Sequence, residues 1–108
     1  MDNLTALRGL CNAICNTFYP DNSTMTLLLF NEGLSAEDTA RPKDVVLLTI
    51  AIKLVLGYVE SSRSEGGVSV GIDSKRVKEN IKRWCDDYGL DAEDFLSLKT
   101  IESGTHLW

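Results

Sequence analysis

Apolar residues recur along this chain with periods that change from segment to segment, and the periods predict the elements. Leu4, Leu7, Cys11, Ile14 and Phe18 are spaced by three and four residues. That spacing places them on one face of a helix running from about residue 3 to about residue 18. Tyr19-Pro20-Asp21 ends it. Ser23 is placed to cap a second, shorter helix through Met25, Leu27, Leu28 and Phe30. Gly33 offers the left-handed geometry that closes such a helix. "LSAEDTAR" then reads as a polar connection with room for one helical turn.

Pro42 suits the first turn of a helix, where its missing N–H is not needed, and Asp44 favours the positive end of the helix dipole. "VVLLTIAIKLVLGYV", Val45 to Val59, follows and is apolar on nearly every face. A membrane span needs about 20 apolar residues, and Lys53 interrupts this shorter run, so no membrane crossing is expected. A helix apolar all round predicts instead the centre of a bundle, surrounded by the others. Continued to about residue 62, it would be near 30 Å long.

Gly66-Gly67 breaks that helix, and Val68, Val70 and Ile72 then alternate with Ser69 and Gly71 in strand periodicity. Asp73 or Ser74 is placed to cap a further helix with the stripe Val77, Ile81, Trp84 and Tyr88, closed by Gly89. Asp91, with Asp94 three residues on, repeats the capping device before Phe95, Leu98 and Ile101. The expectation is a mainly all-α fold: a small helical bundle around a long apolar central helix, with one short extended segment or hairpin. Residues 1–101 form one domain in this reading, and 102–108 a tail.

Composition narrows the function. With 108 residues and 44% hydrophobic content, one modest core is within reach without disulfides or metal. A formal charge of −5 disfavours general nucleic-acid binding, which rests on accumulated Lys and Arg. Asp2 stands where a secretory signal carries basic residues, and no apolar signal core follows, so an intracellular site of synthesis is expected. Three cysteines, Cys11, Cys15 and Cys85, fit reduced thiols better than a disulfide framework.

Catalytic chemistry finds little support. Cys11 and Cys15 lie one helical turn apart, yet two further metal ligands are missing and Cys11 falls on the apolar stripe. His106 is the lone histidine, in the tail, with no local signature of a Cys/His pair. Gly66-Gly67 follows a helix and precedes a strand, the reverse of a phosphate loop. The carboxylates sit in caps, helix ends and connections. The reading is a protein that is not an enzyme and needs no cofactor.

Charge placement says more. Lys75, Lys78 and Lys82 fall on one helical face, flanked by Arg76 and Arg83 and away from the apolar stripe. Such a face is often merely solvated. Asp86, Asp87, Asp91, Glu93 and Asp94 follow as an acidic block. Opposite charge on separate surfaces lets identical subunits meet head to tail, which closes into a ring when the rotation allows. The strand-like segment has no matching strand in the chain, so it lies on its own bundle or pairs with another chain. Glu65, Gly66, Gly67, Val68, Ser69, Val70, Ile72, Lys75, Lys78 and Lys82 are therefore the candidate partner-binding residues.

The order of parts resembles the small helical head-to-tail connector (adaptor) proteins of tailed bacteriophages. The resemblance is carried by an N-terminal helix, the apolar helix "PKDVVLLTIAIKLVLGYVES", the break "SRSEGGVSVGID" and the helix "VKENIKRWCDDYGL". It covers most of residues 1–90; the Asp91 to Trp108 extension has no counterpart. It implies a structural virion protein that assembles in the host cytoplasm as a ring joining the portal and capsid to the tail. Its partners would be further copies of itself, the portal protein and a tail-completion protein. The break near Ser64 to Asp73 would reach a neighbouring subunit. An alternative is a small phage-encoded binding or regulatory module that uses the Lys75 to Arg83 face on an acidic partner or on DNA. A thiol enzyme ranks lowest. A helix-turn-helix reading of Ser74 to Leu98 fails because its second element is acidic, so sequence-specific nucleic-acid binding is not expected.

Overall fold

A computed structural model of the chain describes residues 1–64 and 74–96. Four helices account for most of them: α1 (Asn3–Ile14), α2 (Asn22–Asn31), α3 (Val45–Ser64) and α4 (Ser74–Tyr88). The fold is all-α, as expected, with no strand among the described residues. The extended segment assigned to Val68, Val70 and Ile72, and the tail from 102, lie outside those residues.

α3 is the centre. Its twenty residues span about 30 Å. Leu47, Leu48, Ile50, Ala51, Ile52, Val55 and Val59 are all buried along it, while Lys53 and Gly57 stay exposed. α1 lies along α3 and contributes Leu7, Leu10, Cys11 and Ile14 to the shared core. α2 and α4 each pack on both members of this pair and touch one another at most marginally. They take opposite sides of α1. Arg8 hydrogen-bonds Asn22 at the start of α2, whereas Ala6, Gly9 and Leu10 line a groove with Trp84 and Tyr88 of α4.

The start of α1 is tied down by a connection that sequence periodicity treats as a plain polar loop. Asp2 caps the helix by accepting from the Thr5 N–H at 2.8 Å. The Asn3 and Leu4 N–H groups donate to the carbonyls of Asp38 (2.8 Å) and Ala36 (3.1 Å), and Ala40 N–H donates to the Met1 carbonyl at 2.8 Å. Buried Asn3 adds a side-chain donor to the Ser35 carbonyl at 2.8 Å. Donors that every helix leaves without intrahelical partners are thus satisfied by residues 35–40. That segment forms a turn and an isolated bridge rather than a helical turn.

Several expected boundaries shift for identifiable reasons. α1 stops at Ile14, not near residue 18, because Cys15 adopts an extended conformation (φ −137°, ψ 104°). Asn80 of α4 then donates to the freed Ile14 carbonyl at 2.9 Å. Phe18 leaves the helix and stacks on Tyr58 of α3, ring centroids 4.5 Å apart. Asp21, not Ser23, caps α2 through the Thr24 N–H at 3.0 Å. Pro42 sits in a turn before α3 rather than in its first turn, followed by Lys43 at φ 53°. Asp44 takes up the helix start, its carboxylate accepting from the Val46 N–H at 2.9 Å.

Both glycine closures behave as their sequence positions suggest. Gly33 (φ 79°) and Gly89 (φ 77°) adopt left-handed geometry. The following residues complete the caps, Leu34 N–H donating to the Leu29 carbonyl and Leu90 N–H to the Cys85 carbonyl, each at 2.8 Å.

α2 departs most from its expected pattern. Of its apolar residues only Met25 and Leu29 are buried, while Leu27 and Phe30 point outward with 57% and 74% of their surface exposed. Leu29→Ala should therefore cost about 2–5 kcal/mol, and Leu27→Ala no more than about 0.5 kcal/mol, in urea unfolding. The Thr5 side chain and then its N–H hold the Asp2 carboxyl below its ordinary 3.8. A lowered folded pKa contributes stability above the unfolded value and loses it as pH falls through the folded one. Asp2→Ala should lower the melting temperature at neutral pH, with the gap from the natural protein closing as the solution is acidified below 3.8.

Candidate functional site

The candidate partner-binding residues fall into two groups. Glu65, Gly66, Gly67, Val68, Ser69, Val70 and Ile72 lie outside the described residues. Lys75, Lys78 and Lys82 are on α4, all exposed, and their side chains follow one stripe along the helix, with Arg83 beside it. The opposite stripe, Val77, Ile81 and Cys85, is buried against α1 and α3. Tyr88 and Trp84 close its edge as an edge-to-face pair with centroids 6.0 Å apart. Burial and then the neighbouring Asp87 push the Tyr88 hydroxyl pKa up.

The acidic block does not form a surface separate from this basic one. Asp86 continues the same stripe as Lys75 and Lys82 at helical spacing, and Asp87 pairs with Lys43 at 3.2 Å. Asp91 accepts from the Glu93 N–H at 3.0 Å and opens a short helical turn over 93–96. Some of these acids thus hold the end of α4 together. Lys75, Lys78, Lys82 and Arg83, in contrast, have no ion-pair partner among the described residues.

The feature that sequence periodicity missed is on α2. Leu27 and Phe30 are three residues apart and share its outer face. Beside Phe30 a shallow recess is lined by Leu34, Ala36 and Glu37. On the other flank Leu28 and Glu32 border a second groove with Val45, Val46 and Leu90. Exposed Glu32 and Glu37 border the two grooves, and the nearby cations are Lys53, on the far side of the Glu32 groove, and Arg8, which is bonded to Asn22 at the start of α2. The signal in the sequence was the unbroken "LLLF", apolar on both faces of a ten-residue helix. A helix apolar all round is ordinarily covered all round.

The cysteines are structural. Cys11, Cys15 and Cys85 are free and buried. Burial pushes the Cys11 thiol up to about 12. Burial, then Asp86, Asp91 and Asp94, raises that of Cys85. Neither is poised as a thiolate nucleophile. Among the described residues no group of three or more His, Cys, Asp or Glu side chains is arranged to hold a metal ion. No helix among them is long and apolar enough to cross a membrane. A thiol reagent at pH 8 should leave all three cysteines unmodified over minutes in the folded protein and titrate all three once denaturant is added.

No curated protein and no solved structure matches the chain. A family model does match, over residues 1–108, and the chain belongs to that family, described as a family of unknown function (DUF6706).

Proposed function

We propose that the protein is a non-enzymatic structural component of a tailed-phage virion, a ring-forming connector between the portal and the tail. The reading starts from the resemblance in the order of parts: N-terminal helix, long apolar helix, Ser/Glu/Gly-rich break, amphipathic helix. The observation that carries it is the outer face of α2, where Leu27 and Phe30 stand together in water on one face of a helix. Contiguous large apolar side chains on a small protein's surface mark contacts with other macromolecules. Buried, high-pKa thiols and helix-capping carboxylates speak for a scaffold rather than for catalysis. The virion is the proposed location, reached from the host cytoplasm.

Lys75, Lys78 and Lys82 on α4, exposed and without an ion-pair partner among the described residues, favour the second reading, a small binding module that uses them on an acidic partner. The two separate on stoichiometry and salt. Light scattering of the full-length protein mixed with the portal protein encoded near it should give a complex holding many copies per portal. A chain that ignores the portal and binds nucleic acid with steep salt dependence would instead establish the module.

A further inference from the structure

We propose that neighbouring copies in the ring meet helix to helix, the outer face of α2 on one seating the basic face of α4 on the next. This rests on the connector reading and names the contact that would build it.

Three observations lead there. First, α2 and α4 flank α1 on opposite sides. A contact between two different surfaces on opposite sides of a subunit repeats from copy to copy, which is the head-to-tail geometry that closes into rings. Second, the two faces complement each other in charge. Around α2, Glu32 and Glu37 border the grooves beside Leu28 and Phe30, with Arg8 at the helix start and Lys53 across one groove as the nearby cations. On α4, Lys75, Lys78, Lys82 and Arg83 are exposed, have no ion-pair partner among the described residues and outnumber the Glu79 and Asp86 beside them. Third, a parallel two-fold pairing of either face on itself would set Glu32 against Glu32 at α2, or lysine against lysine on α4, and like charges so juxtaposed cost several kcal/mol.

The chemistry of the pair is specific. Lysine and arginine stems cover apolar surface while their charged heads stay at its edge. Laid across Leu27 and Phe30, the stems of Lys78 and Lys82 would shield the exposed aliphatic and aromatic surface. Their ammonium groups would then reach the acidic rim, and a cation over the Phe30 ring adds a favourable electrostatic contact. Lys53, across the groove from Glu32, marks where the acidic rim ends.

Disulfide trapping tests the contact directly, because the native cysteines are buried. Full-length Leu27→Cys and Lys78→Cys proteins, carrying different tags, are mixed and oxidised both at high concentration alone and on the portal protein. The expected product is the mixed 27–78 disulfide, several-fold over either like pair. Lys78→Glu with Lys82→Glu should weaken association at least about tenfold, and Glu32→Lys with Glu37→Lys in the neighbouring copy should restore it. A dominant 27–27 product would overturn the proposal in favour of a two-fold dimer, and absence of any crosslink under both conditions would overturn it outright. Recruitment to the portal without the mixed disulfide would remove this interface and leave the connector reading standing. The mixed disulfide without recruitment would do the reverse.

Discussion

The constraint on which the structure depends is the apolar run of α3 from Val45 to Val59. With Leu47, Leu48, Ile50, Ala51, Ile52, Val55 and Val59 buried, more than half of that run's circumference must be covered by other elements. α1 runs along it, α2 and α4 fill the flanks, and Phe18 returns to stack on Tyr58 near its far end. α1 holds its position because its first N–H groups are bonded to residues 36 and 38, in the connection between α2 and α3. Cap, connection and central helix are one mechanical unit: the loop that leads into α3 also secures the helix that covers it.

Covering a central helix from two flanks leaves two outward faces, and their chemistry differs. α4 turns Val77, Ile81 and Cys85 inward and lysines outward, which satisfies an ordinary amphipathic helix. α2 is too short and too apolar to do the same, and it sends Leu27 and Phe30 into solvent. Exposing them has a cost in solubility that a free-standing monomer gains nothing from. In the proposed assembly a neighbouring copy would cover them, with Glu32 and Glu37 facing its basic side chains.

The fold was largely legible from the sequence because its strongest signals are local. The unbroken apolar run announced α3, the three-and-four spacing of Leu4, Leu7, Cys11 and Ile14 announced α1, and Gly33 and Gly89 stood where left-handed caps formed. What escaped was non-local. Nothing in "LSAEDTAR" signals that its carbonyls accept from Asn3 and Leu4, more than thirty residues earlier. Phe18 fitted the helical stripe of α1, yet the helix ends at Ile14 and Phe18 stacks on Tyr58 of α3. The site was legible in half. Lys75, Lys78 and Lys82 were visible as a stripe, but Leu27 and Phe30 counted as core, because a run apolar on both faces does not reveal which face the bundle leaves open.

The most direct measurement is hydroxyl-radical footprinting by mass spectrometry, on the isolated protein and on assembled particles. Buried Met25, a readily oxidised type of side chain, serves as internal control because it should stay unlabelled in both. The account predicts strong labelling of Phe30 and Leu27 in the isolated protein and its loss in the particle. Equal labelling of Phe30 in both states, or its protection in the isolated monomer, would contradict the claim that the outer face of α2 is an assembly surface.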